Sequence, residues 1–422
     1  MTSPEHTGTT ERRRGGTLSP RTMRRLDRWI GLPLCVLASL ALRLSGLVPQ
    51  RTFAPPRRVL YVALAEMGSI VLAAPAIRQC ARTHGVMPTF VTLAQTRGVF
   101  DFLGGEFNRE VCVLRTTSLT ALCADLWSFC RRMRRGGIAV AVDLDPGSRF
   151  SALVTLLSGA RRRSGFEGMA QPYRGSLYTH TVDCPLGRHM SENFAALVEA
   201  PFSEIESSTT TVVDLFIPAA ASTQTAESGS VLHRLRQRIP YCDPGRRRVV
   251  LIHANRSDPV PQRRWPQQRY IELCQRMLAE WPDIFVLLIG AAAEENAATA
   301  LCAEIDDSRC GSVAGLFSIG ELPALFALAT ILVSSDSGPA HFAAHAGLPV
   351  VALFGPETPQ RYRPLGATVT LYAGLPCSPC LSAHNQRASS CRDPRCMQAI
   401  EVETVLGAMR DALAPAERAA TA

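Results

Sequence analysis

The run Ile331 to Gly355, ILVSSDSGPAHFAAHAGLPVVALFG, concentrates the residue types that hold an anion. An apolar strand ends at Ser334-Ser335, Asp336 stands where a helix N-cap is expected, and Ser337-Gly338-Pro339 opens a helix with His341 on its first turn. Free backbone amides at a helix start, with a glycine that permits close approach, suit a phosphate, and Ser335, Ser337 and His341 can add donors. The same residues also describe a capped helix with a structural histidine. A second cluster is Cys377-Ser378-Pro379-Cys380 with Cys391 and Cys396. A CxxC pair followed by two cysteines is compatible with a tetrahedral metal site, with reduced thiols or with a disulfide, and His384 is a competing ligand.

The elements that must position these groups read as alternating strands and helices. In the first half, apolar strands at Val59 to Leu64, Thr89 to Leu93, Val111 to Leu114 and Ile138 to Leu144 alternate with helical stretches, among them Ile70 to Thr83 and Leu119 to Arg134. In the second half, strands at Val249 to His253, Ile284 to Ile289, Ile331 to Ser334 and Val350 to Phe354 alternate with helices at Gln267 to Glu280, Glu294 to Glu304, Leu322 to Ala329 and Gly338 to Ala346. Alternation of this kind predicts two doubly wound parallel sheets, and ligands of such sheets bind beyond the strands' C-terminal ends. Two α/β domains in tandem, at 57–218 and 231–422 with a small polar connection over 219–230, therefore predict an interdomain cleft.

Composition bounds the rest. The chain has 422 residues, 46% hydrophobic and 19% charged, which excludes wholesale disorder. All 45 basic residues are arginine and the net charge is +9. That leaves nucleic acid, an anionic membrane and a phosphorylated small molecule as partner classes, and no nucleic-acid motif accompanies the charge. Fourteen cysteines spread through apolar runs point to a reducing compartment rather than a disulfide scaffold. Residues 1–56 read as a polar tail, a membrane-associated helix and a linker at Pro55-Pro56. Trp29 to Val48 is apolar apart from Arg43, but arginines on both flanks and the breakers Gly31 and Pro33 favour an interfacial or re-entrant anchor over a helix that spans or one that belongs to a soluble core.

The spacing of Asp336-Ser337-Gly338, His341, Gly347-Leu348-Pro349 and Phe354-Gly355-Pro356 resembles the signature of glycosyltransferase family nine, the lipopolysaccharide heptosyltransferase family. Three other segments resemble it in the same order: the first turn in LYVALAEMGSIVLAAPAIR, then Arg263-Arg264-Trp265-Pro266, then Ile289-Gly290 with Glu294. The resemblance covers about residues 57–410. It implies a GT-B fold and transfer of a sugar, often a heptose, from a nucleotide-diphosphate sugar to a lipopolysaccharide-type or other glycan or lipid-linked acceptor at the cytoplasmic face of the inner membrane. It implies no metal and no further cofactor in catalysis. By the same resemblance, Gly68, Ser69, Glu294 and the segment Ser335 to His341 would bind the donor, with Arg263 at the family's phosphate-facing lysine.

One departure bears on mechanism. Where the family carries Gly-Asp, with the aspartate as proposed base, this chain has Gly68-Ser69, and a serine hydroxyl is far too weak a base. Glu66, three residues earlier in the turn, is the nearest carboxylate and the expected catalytic base; otherwise it solvates the turn. Loss of the usual Asp leaves a non-catalytic sugar-binding relative as the alternative, and a nucleotide-sugar epimerase of similar fold as a weaker one. Asp143 and Asp145 read first as turn and cap residues and second as acceptor contacts, and Arg161-Arg162-Arg163 reads first as a solvated charge run and second as a contact for an anionic acceptor.

Overall fold

The computed structural model describes residues 27–45, 56–64, 66–167, 173–203, 224–254, 260–382, 385 and 389–420. A π-helical turn, Asp27–Gly31, leads into α1 (Leu32–Ser45). The first sheet is built from β1 (Arg58–Val62), β2 (Met87–Leu93), β3 (Val111–Leu114), β4 (Val140–Asp143), β5 (Arg162–Glu167) and β6 (His180–Asp183). Its helices are α2 (Met67–His84), α3 (Gly98–Leu103), α4 (Glu106–Arg109), α5 (Leu119–Gly136), α6 (Arg149–Leu157) and α7 (Met190–Glu199). The strand order is β3-β2-β1-β4-β5-β6, all parallel.

The second unit opens with α8 (Gln224–Arg238), so the last residues of the expected polar connection are helical, while 204–223 lie outside the described residues. It continues with β7 (Arg248–His253), α9 (Gln267–Glu280), β8 (Ile284–Leu288), α10 (Glu295–Ile305), β9 (Cys310–Ser312), α11 (Leu322–Ala327), β10 (Ile331–Ser335), α12 (Gly338–His345) and β11 (Val350–Phe354). Then come α13 (Pro359–Tyr362), β12 (Thr368–Tyr372), α14 (Arg395–Gln398) and α15 (Val402–Ala420). The order β12-β11-β10-β7-β8-β9 repeats the first topology. The strands, all parallel, are added on one side of β1 up to β3 and on the other from β4 onward, and the same switch of side falls between β7 and β10; these are the two places where such sheets open a crevice.

Burial on both faces explains the composition of the central strands. In β1, Val59 and Tyr61 face a core shared with α2 and α7, while Leu60 and Val62 face another shared with α5 and α6. The α2 and α5 helices stop at Gly85 and Gly137, both in the left-handed region that glycine adopts without strain. The sequence reading omits β5, β6, β9 and β12 because these are outer strands, short or polar, without an apolar run. In β5, Arg162 and Arg163 are not a solvated charge run: Arg162 donates to Pro201 O at 2.6 Å, and Arg163 to Leu177 O at 2.8 Å and Ala160 O at 2.7 Å.

The N-terminal helix packs on the first domain, while the expected polar tail and the linker up to Pro55 lie outside the described residues. Cys35 is completely buried against Ala152, Leu177 and Tyr178. Asp27 accepts a hydrogen bond from Phe150 N at 2.9 Å and so caps α6 from outside. Residues 46–48 of the expected membrane segment lie outside the described residues, and no described helix is long and apolar enough to cross a membrane.

Candidate active site

The first wall of the cleft is the turn after β1. Glu66 holds the N-cap position of α2 with extended backbone, and its carboxylate accepts from Ser69 Oγ at 3.0 Å. Gly68 lies directly against the second domain, since a Cβ built there would sit 2.9 Å from His341 Cδ2. The glycine is what lets the two walls touch.

The second wall gathers at the switch point of the second sheet. The helix cap is Ser337, not Asp336 as expected, and its side chain makes no cap hydrogen bond. Its hydroxyl instead joins Ser334 Oγ at 2.9 Å, and His253 Nδ1 lies 3.2 Å from both. Asp336 donates its backbone N–H to Leu353 O at 3.0 Å and holds its carboxylate 3.5 Å from Arg263 Nε. A carboxylate cannot bind phosphate, so its service to an anion site is to orient the guanidinium. His341 is buried on α12, and Pro339 sits in that helix's first turn.

Glu294 completes the set. It is buried, accepts from Ala291 N at 2.9 Å and lies 3.6 Å from His253 Nε2. A Cβ at Gly290 would come 2.8 Å from its carboxylate, which accounts for the glycine. A slot lined by Ala254, Gln267, Ile289, Glu294, Ala297 and Leu301 opens beside it. Tyr270 backs the site, its hydroxyl 3.4 Å from His253 O and its pKa raised by burial.

The structure therefore brings Glu66, Gly68 and Ser69 to one wall and Arg263, Glu294, Ser335, Asp336, Ser337, Gly338, Pro339 and His341 to the other. His253 was missed as a site residue. Its signal was its place at the C-terminal end of the strand beside the switch point. Asp143 and Asp145 serve the scaffold. The fully buried Asp143 accepts from Arg174 at 3.1 Å, Tyr178 OH at 2.5 Å and Ser151 Oγ at 2.8 Å. Burial raises its pKa, against the Arg174 charge and these hydrogen bonds. Asp145 accepts from Leu64 N at 2.8 Å, tying the two switch-point loops of the first sheet.

The domains meet beside this site. Phe102 lies 4.9 Å from Phe342 and 5.8 Å from His345, ring to ring, and Arg361 donates to Pro185 O at 2.8 Å. Burial, with Arg78 nearby, lowers the His345 pKa to about 4.

The loop of the cysteine cluster touches the turn that carries Arg263, where Gln262 donates to Cys391 O at 2.9 Å. Cys377, Cys380, Cys391 and Cys396 are free thiols; Cys391 donates to Asp393 O at 3.2 Å and Ser389 donates to Cys380 Sγ at 3.4 Å. His384 lies outside the described residues. At the far end of α2, Cys80, His84 and Glu199 converge; His84 Nε2 is 2.9 Å from Glu199, and burial drives the Cys80 thiol up to about 12.

The model of glycosyltransferase family 9 (heptosyltransferase) matches residues 126–389, more than half of the chain. This protein belongs to glycosyltransferase family 9. Its similarity to lipopolysaccharide heptosyltransferase 2 of Escherichia coli is 32% identity over 108 residues, 25% of this chain and 30% of that one. With lipopolysaccharide heptosyltransferase 1 of Pseudomonas aeruginosa it is 30% over 147 residues, 35% of this chain and 39% of that one. These matches thus span well under half of the curated relatives' length. Across the whole family 9 fold, the structure of E. coli ADP-heptose lipopolysaccharide heptosyltransferase II superposes with a TM-score of 0.65 at 18% identity, covering 85% of this chain and 99% of that one. E. coli heptosyltransferase WaaC with ADP gives 0.60 at 18%, covering 84% and 99%. The likeness establishes the GT-B arrangement of two Rossmann-like domains.

Proposed function

We propose that this family 9 protein transfers a sugar, a heptose by analogy with its relatives, from a nucleoside-diphosphate sugar to a glycan acceptor carried by a lipid at the cytoplasmic membrane face. The observation that carries the reading is the meeting, across one cleft, of a carboxylate turn and a helix start furnished with an arginine. ADP in the similar heptosyltransferase favours an adenine nucleotide as the donor's leaving group.

The chemistry is a displacement at the anomeric carbon. The acceptor oxygen forms the new C–O bond while its proton passes to the Glu66 carboxylate. The bond from the anomeric carbon to the diphosphate oxygen breaks, and its electron pair leaves with the nucleoside diphosphate. Arg263 and the amides at the start of α12 stabilise that growing charge. Asp336 keeps Arg263 aimed, and Glu294 beside its apolar slot offers a carboxylate to the nucleoside's hydroxyls. No step calls on a metal.

Thermal shifts with ADP-, GDP-, UDP- and dTDP-sugars test the donor site. The ADP-sugar should stabilise the protein most, because binding to the native state alone shifts unfolding by mass action, and Arg263→Ala should abolish most of the shift. Equal and negligible shifts throughout the panel would overturn the assignment.

A further inference from the structure

One face of the first sheet is covered by a layer of three helices, and its outer surface has a particular chemistry. The α5 and α6 helices pack on that face through Phe129, Met133 and Val154, and α1 extends the layer by packing on α6 through Cys35. The outward side of α1 keeps Leu34, Leu37 and Leu40 in solvent, and the π-helical turn before it adds Trp29 and Ile30, with Trp29 74% exposed. A soluble surface seldom carries so much contiguous apolar side chain without a partner.

The exposed side of α5 continues the pattern in a different key. Leu119, Cys123 and Trp127 recur every fourth residue, which sets them on one stripe of the helix, and Trp127 is 63% exposed. The stripe then turns cationic. Arg131 follows at the same spacing, its guanidinium stacked 4.5 Å from the centre of the Trp127 ring, and Arg134 and Arg135 are exposed beyond it. The helix's single acid, Asp125, is taken up by Arg115 at 2.7 Å, so no free negative charge opposes these arginines.

Tryptophan beside arginine next to an aliphatic face is the chemistry of a bilayer's headgroup region. The 14 residues of α1 reach about 21 Å, short of a hydrocarbon core of about 30 Å, and no described helix is long and apolar enough to cross a membrane. We propose that the outer sides of α1 and α5 form one docking face for an anionic lipid bilayer, with α1 sunk flat among the upper acyl chains and α5 resting on the headgroups. Asp27, at the start of α1, caps the start of α6, which follows the loop after β4 at the cleft end of the sheet. Bound this way, the protein turns the rim of its acceptor-side wall toward the lipid. That consequence rests on the transferase reading, whereas the docking face does not.

The test is co-sedimentation of the full chain with phosphatidylcholine vesicles, with and without phosphatidylglycerol. The wild type should prefer the anionic vesicles and be released by salt. Combining Trp127→Ser, Arg131→Gln and Arg135→Gln should lower partitioning into anionic vesicles about 25-fold or more, from about fivefold per arginine at an anionic surface. Leu34→Ser with Leu37→Ser should abolish binding to both kinds of vesicle. ADP should stabilise all three proteins equally, which certifies their fold. Wild-type partitioning by the α5 variant would remove α5 from the face, and wild-type partitioning by both variants would overturn a lipid occupant. A wild type that ignores vesicles but forms a dimer lost in the α1 variant would assign the face to a second copy of the chain. Vesicle binding without any ADP shift would leave the docking face standing and sink the transferase reading instead.

Discussion

Glu66 and Arg263 stand on opposite walls of the cleft, and each has a neighbour that orients its side chain. Ser69 donates to Glu66 at 3.0 Å, so the residue that replaced the family's aspartate now orients a different carboxylate. Glu66→Gln keeps the size of the side chain and removes the proton acceptor. Turnover with an ADP-sugar and a lipid-linked acceptor should fall by about 100-fold or more, with the ADP thermal shift intact. Restoring the carboxylate one helical turn later, by adding Ser69→Asp, should recover part of the loss. Near-normal transfer by Glu66→Gln would mean that the base lies elsewhere, and Asp143 and Asp145 could not supply it because their carboxylates are committed inside the fold.

At the scale of elements, helix starts do much of the organising. The α12 start carries the proposed anion site, and the α6 start is capped twice, by Ser148 from within and by Asp27 from the turn before α1. The second cap couples an N-terminal helix to a loop of the acceptor-side wall. Asp27→Ala should cost about 1 kcal/mol of stability, read as a lower midpoint in chemical denaturation with unchanged slope. An unaltered midpoint would show that water or Ser148 alone satisfies the Phe150 amide. Removing residues 1–50 altogether should cost far more, because it uncovers the apolar groups of α6 that Cys35 now buries.

For the whole molecule, the contact between domains carries a pH dependence. His345 is held neutral at the interface by burial and by the Arg78 charge, with its pKa lowered from 6.5 to about 4. The unfolded chain binds a proton near pH 6.5 while the folded chain refuses it until about pH 4. Stability from this group is therefore complete above about pH 6.5 and drains away as pH falls toward 4, at up to about 1.4 kcal/mol per pH unit. Thermal midpoints measured across that window should fall with pH, and His345→Leu should make the fall shallower. Equal slopes in the two proteins would mean that the histidine titrates normally.

Pattern and spacing alone determined both α/β halves, because buried parallel strands are apolar on both faces, and they marked the segment around Asp336 as a candidate anion site, because its groups lie close together in the chain; Arg263 and Glu294 entered only through the family resemblance. The outer strands escaped, since a strand with a solvated side needs no apolar run, and so did His253, which looks like any strand-end histidine until β7 is seen beside β10. Only the tertiary structure decided that Asp143 and Asp145 are scaffold and that two of the three residues in the arginine run are woven into β5, between β4 and β6. Only it showed that the N-terminal helix belongs to the first domain. Those outcomes turn on which groups meet far apart along the chain, from the 31 residues between Asp143 and Arg174 to the 123 between Asp27 and Phe150, and local spacing carries no information about such a meeting.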